Sequence, residues 1–214
     1  MATFYQEVQM ARRTQISNVL LSTLAAGFLA LNVNGAVAQT IDWKTVGGWD
    51  ISFYPNSEGC QAFALFEEDT AFFIGFDNTD NVLALDVTLL DQRWGSIQDG
   101  KQYSVTLNFG NETPWTLEMD GIQTDGYPGL NIMIDASSDE ADLFIDEFQR
   151  ETRMVWNFQG SELGRYTLRG SRRAFDEVIT CQRSYFDALG ASQGSDPFAT
   201  SGNSKNKSKD PFAD

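Results

Sequence analysis

The chain has 214 residues, a formal charge of −15, two cysteines and no histidine. Such a charge repels nucleic acid and anionic membrane surfaces, and the absence of histidine removes Ser-His-Asp and Cys-His catalysis and His-ligated zinc. A hydrophobic share of 42% with 16 phenylalanines is enough for a single packed domain.

Residues 1–39 read as an export segment. Arg12 and Arg13 flank the apolar stretch 16–31, and Ala36-Val37-Ala38 has the small-x-small pattern that signal peptidases cut, so cleavage is expected after Ala38. The apolar stretch is short against the roughly 20 residues a membrane span needs, so no stable membrane insertion is expected once it is removed. The expected location is the periplasm or the medium. In either, Cys60 and Cys181 are expected to pair, since oxidising compartments favour disulfides.

From residue 49 the pattern is one of short strands. Residues 49–54 alternate apolar and polar side chains and stop at Pro55-Asn56. Residues 61–66 and 71–76 flank the acidic turn Glu67-Glu68-Asp69-Thr70 and read as a hairpin. After a turn at 78–81, residues 82–90 form the next strand; Asp99-Gly100 then marks a tight turn before 103–109, where Tyr103, Val105, Leu107 and Phe109 share one face. Stretches 115–122, 130–134, 154–158 and 166–168 bring the set to about nine strands, with turn signals too close together for βαβ units.

Two helices interrupt the strands. Ser137-Ser-Asp-Glu140 has capping-box spacing, and Ala141, Phe144, Ile145 and Phe148 follow on one face. Near the end, Ser171 is expected to cap a helix in which Ala174, Val178 and Cys181 share a face, aiming the cysteine at the core. The expected fold is mainly β: an antiparallel β-sandwich or flattened barrel, two short helices packed on it, and one disulfide. It forms a single domain over 40–189, followed by a disordered tail, 190–214, rich in Ser, Gly, Asn and Lys.

Charge is segregated along the chain. Acidic residues dominate 40–149, whereas 150–183 contains Arg150, Arg153, Arg165, Arg169, Arg172, Arg173 and Arg183. Arg169, Arg172 and Arg173 are therefore candidate binding residues for a carboxylate-bearing or anionic partner. Trp94 and Tyr127, in turn contexts, are candidate exposed aromatics beside them. In the tail, Asp196-Pro197-Phe198-Ala199 recurs as Asp210-Pro211-Phe212-Ala213, a candidate bivalent docking element on a tether.

Motifs for chemistry are sparse. Asp77-Asn-Thr-Asp-Asn81 and Asp135-Ala-Ser-Ser-Asp-Glu140 offer oxygen ligands but lack the glycine and terminal glutamate of a calcium loop. Gly47-Gly48 precedes a strand rather than a helix, so it is no phosphate loop. Neither a cofactor nor a metal is expected.

Gly48-Trp49-x-Ile51, Gly59-Cys60-x-Ala62, Trp94-x-Ser96-Ile97, Gly100-x-x-Tyr103 and Leu168-x-Gly170-Ser171-x-x-Ala174-Phe175 with Cys181 form a series over roughly 43–182. This series resembles uncharacterised small exported proteins of proteobacteria, which share a Gly-Cys start and a Gly-Ser-x-x-Ala…Cys finish. The resemblance implies the exported compartment, the disulfide and the fold class; it brings no catalytic residues and no known activity. The expected function is a non-enzymatic periplasmic or secreted domain that binds a protein or envelope component. The alternatives are a glycan or cell-wall hydrolase working through a carboxylate pair, and a secreted enzyme inhibitor.

Overall fold

The structure, a computed structural model, describes residues 39–193 apart from 67, 68 and 81. Its strands are β1 (Ile41–Val46), β2 (Trp49–Tyr54), β3 (Gly59–Leu65), β4 (Ala71–Asp77), β5 (Ala84–Leu90), β6 (Gln102–Phe109), β7 (Trp115–Thr124), β8 (Tyr127–Asp135), β9 (Arg153–Phe158) and β10 (Ser161–Thr167). The helices are α1 (Asp139–Arg150) and α2 (Ser171–Gln193).

All ten strands lie in one sheet of order β1-β2-β3-β4-β5-β8-β7-β6-β9-β10, and every pairing is antiparallel. No described pairing joins β1 to β10, so the sheet stays open. It nevertheless curls until its two ends meet through side chains. The Tyr166 ring of β10 stacks on Phe66 with centroids 4.6 Å apart, and its hydroxyl donates to Thr70 Oγ1 at 3.0 Å. Trp49 Nε1 donates to the Arg169 carbonyl at 3.1 Å. The expected mainly-β antiparallel fold with two helices and a disulfide is thus present, as a single curled sheet.

The alternation of each strand explains the core. Leu85, Val87 and Leu89 of β5, Phe72, Ile74 and Phe76 of β4, and Val105, Leu107 and Phe109 of β6 all point to one face and are buried. Both helices pack on that face, α2 across β1 to β4 and α1 beside β8 and α2. Phe144 of α1 meets Phe109 at 5.2 Å and Trp115 at 5.4 Å, and Phe148 meets Trp49 at 5.4 Å. Each such buried side chain contributes about 1.5–3 kcal/mol of transfer free energy.

Cys60 and Cys181 are bonded, with Cα atoms 6.0 Å apart and a sequence separation of 121. Gln182, next along α2, secures the same place. Its Oε1 accepts from the Cys60 amide at 2.8 Å, and its Nε2 donates to the Glu58 carbonyl at 3.3 Å. One helical side chain thereby satisfies backbone groups on β3 and on the turn before it.

Several elements depart from the sequence reading. β1 is an additional strand; it lies at the sheet edge with most residues exposed, so it lacks the apolar face that periodicity detects. Tyr127-Pro-Gly, read as a turn, opens β8, because Pro128 needs no ladder hydrogen bond through its nitrogen and its carbonyl accepts from the Asp91 amide at 3.0 Å. Ser138 rather than Ser137 caps α1, its Oγ accepting from Ala141 N at 3.1 Å while Ser137 bonds Asp135. Finally, α2 runs through Gln193, past the expected boundary at 189. The export segment and both Asp-Pro-Phe-Ala copies (Asp196, Pro197, Phe198; Asp210, Pro211, Phe212) lie outside the described residues.

Opening the disulfide frees a loop of 121 residues in the unfolded chain. Replacing Cys60 and Cys181 together by Ser is expected to lower unfolding stability by about 4–5 kcal/mol on the chain-entropy model. Urea titration followed by tryptophan fluorescence checks this; a loss under about 1 kcal/mol would show that α2 is held by packing alone.

Candidate functional site

The three arginines singled out by the sequence converge on the turn that leads from β10 into α2. Leu168 N donates to the Thr152 carbonyl at 2.9 Å and Ser171 N to the Leu168 carbonyl at 3.0 Å, which turns the chain sharply. Gly170 takes a left-handed φ of 88° there. A Cβ at Gly170 would sit 3.0 Å from the Gly47 carbonyl oxygen in the β1–β2 turn, so the backbone angle favours glycine and a larger residue would also press on that turn.

This geometry corrects the expected cap. Ala174 N donates to the Gly170 carbonyl at 3.0 Å, so Gly170 opens the helix and Ser171 is its first residue. Gly170 has no side chain with which to accept, and the amides of Arg172 and Arg173 have no hydrogen-bond acceptor among the described residues. No acidic residue occupies the first turn of α2. At α1, by contrast, Ser138 caps and Asp139, Glu140 and Asp142 offset the positive helix end.

A groove of about 390 Å³ opens at this end of α2. Its walls are residues 149–152 at the end of α1 and 167–173 of the turn. Four arginines line it against one carboxylate, Glu151. Arg150 is already engaged by Glu112 at 2.9 Å, Asp146 at 3.2 Å and Glu151 at 3.8 Å. Arg169, Arg172 and Arg173 are exposed and form no ion pair among the described residues.

Ser171 is 1% exposed, yet its hydroxyl has no hydrogen-bond partner among the described residues. Nowhere among those residues is a fully enclosed side-chain oxygen left unpartnered, so the little surface Ser171 retains is its oxygen, facing the groove. Sequence reading assigned this serine to capping; its availability follows only from Gly170 taking that role.

Trp94 and Tyr127 do not line the groove. They are half-buried, on the loop after β5 and at the start of β8. A relay connects the two places: Tyr166 to Thr70, then Thr70 Oγ1 to Asp91 Oδ2 at 2.8 Å, then Asp91 to Arg93 at 2.6 Å. Burial pushes the Asp91 carboxyl up, but hydrogen bonds from the Arg93 side chain, the Arg93 amide and Thr70 outweigh it and hold the group below the usual range.

The opposite face of the sheet contains a second buried carboxylate network. Asp86, 8% exposed, accepts from Gln61 Nε2 at 2.6 Å, Thr88 Oγ1 at 2.8 Å and Asn131 Nδ2 at 2.7 Å. Burial raises its pKa, with Asp77 adding to the rise, against these hydrogen bonds. Both oxygens are occupied, so the group serves the sheet rather than a substrate. The two acidic turns are likewise self-satisfied, Asp77 by Thr79 and Asp135 by Ser137. Among the described residues no cluster of three His, Cys, Asp or Glu side chains is placed to hold a metal, and no helix is long and apolar enough to cross a membrane. Comparison with protein-family models, curated proteins and solved structures finds no match.

Two expectations follow. Gly170→Ala should destabilise the fold by about 1–3 kcal/mol, through the left-handed backbone and displacement of the Gly47 turn; a melting temperature equal to wild type would refute the contact. For Asp86, a carboxyl raised in the folded chain holds its proton more tightly there than when unfolded. Stability from this group is therefore greatest below the unfolded value of about 4 and declines as pH rises through the folded value. Wild type should lose stability relative to Asp86→Asn as pH rises from about 4 to 7, read by urea midpoints, and a constant difference would count against burial as the cause.

Proposed function

We propose that the protein is an exported binding domain whose recognition surface is the arginine groove at the start of α2, and that it works by capturing a protein or envelope component rather than by catalysis. The observation that carries this reading is the concentration of unpaired cationic side chains where the fold itself disfavours them. Arginines at the positive end of a helix raise the energy of the isolated domain by about 0.3–1 kcal/mol each, so their natural counterpart is an external negative group. The disulfide fits an oxidising compartment, and the export segment and the resemblance to small exported proteins belong to the same proposal. A partner enzyme would make the domain an inhibitor through the same surface.

The test is crosslinking capture from the native envelope with wild type, with Arg169→Ala/Arg172→Ala/Arg173→Ala, and with a chain ending at Gln193. The triple variant is expected to lose its partner while its stability is unchanged or higher by about 0.3–1 kcal/mol, because self-repulsion at the helix end is relieved. Capture that survives the triple change but disappears on truncation would move recognition to the two tail motifs and overturn the proposal.

A further inference from the structure

Resting on that reading of the groove, we infer that its ligand is a phosphoryl group, in the form of a phosphate monoester or free phosphate. The donors decide the chemistry. The free amides of Arg172 and Arg173 and the unpartnered Ser171 hydroxyl converge on the start of a 23-residue helix, where backbone dipoles favour an anion. Arg169, Arg172 and Arg173 are lining residues of the same groove, and their long side chains can bring guanidinium groups to the anion in forked pairs.

A carboxylate has two oxygens with about four acceptor positions and a single charge, so it leaves part of this donor set unused. A phosphate monoester has three terminal oxygens and a dianionic charge near neutrality, and it can take helix amides, hydroxyl and guanidinium together. Ser171 is the discriminating residue. Its side chain is almost wholly enclosed, so it contributes a hydroxyl at a set position, whereas the arginines contribute charge with adjustable reach. Glu151 lies on the groove wall and opposes any anion, but its neighbour Arg150 offsets it at 3.8 Å. The net charge of −15 disfavours an extended anionic surface and favours a single compact group entering the groove.

Calorimetric titration of the intact chain with inorganic phosphate, glycerol phosphate and acetate tests this. A parallel flotation assay uses phosphatidylcholine vesicles with and without phosphatidic acid. Phosphate or its ester should bind in a salt-sensitive manner, acetate at least tenfold more weakly; Ser171→Ala should weaken phosphate by about tenfold without altering the melting temperature. Arg172→Ala/Arg173→Ala should weaken it further. A response to the soluble ligands alone names a soluble source, and a response to phosphatidic acid vesicles alone names a lipid headgroup; either supports a phosphoryl site. Equal binding of acetate and phosphate, or full phosphate binding by Ser171→Ala, overturns the inference. If the triple arginine variant loses its envelope partner while wild type binds no phosphate compound, the phosphoryl assignment fails and the recognition surface stands. Phosphate binding with no arginine-dependent partner gives the reverse result.

Discussion

The seating of α2 against the inner face of the sheet is the constraint on which the remaining geometry depends. Three devices hold that helix along its length. At its start, the Gly170 backbone lies against Gly47, and Trp49 donates to the Arg169 carbonyl. Over its first two turns, Ala174, Phe175 and Val178 enter the core with Phe148 of α1. Further on, Cys181 is bonded to Cys60 and Gln182 bridges to the backbone around Glu58 and Cys60. A sheet of ten strands with two free edges would otherwise have little to keep it curled. Helix packing on β1 to β4 and the Tyr166 contacts to Phe66 and Thr70 bring its distant margins together.

That seating also creates the electrostatic anomaly at the helix start. Because the turn must pass close to Gly47, the cap position goes to glycine, and no side-chain oxygen covers the first amides. The adjoining arginines add positive charge to an end that is already positive. Elsewhere several charged groups are satisfied within the fold. Glu177 is drawn toward Lys44 and Trp43 at the β1 edge, Glu147 accepts from Trp115 inside the fold, and Asp91 is enclosed by Thr70 and Arg93. Three arginines without ion pairs among the described residues, gathered at one helix start in a chain of net charge −15, set this groove apart from the acidic surface around it.

Asp86 shows how a buried carboxylate can be structural. It pairs across the ladder with Gly75, whose lack of a side chain lets the β3 backbone at Cys60 and Gln61 approach closely, and Gln61, Thr88 and Asn131 supply the donors. A polar network of this kind on an otherwise aromatic sheet face near Phe63 and Phe73 specifies strand register, since a slip of one residue would bury the carboxylate without partners.

Much of this architecture was legible from local pattern. Period-two alternation located most of the strands, the spacing of Ala141, Phe144 and Phe148 located α1, and two cysteines together with the expectation of export implied the bond between Cys60 and Cys181. The clustering of Arg169, Arg172 and Arg173 was visible as plain composition. Other features were not local and could not be read. β1 has no buried face, so its membership in the sheet depends on β2 pairing with it. The identity of the α2 cap depends on Gly47, remote in sequence, pressing on Gly170. Ser171 changes from cap to free hydroxyl for the same reason, and the separation of Trp94 and Tyr127 from the arginines depends on how far the sheet curls. Periodicity, composition and cysteine chemistry are properties of short segments and survive without a fold. Which donors remain unsatisfied, and which groove they face, is decided only when distant backbones compete for the same space.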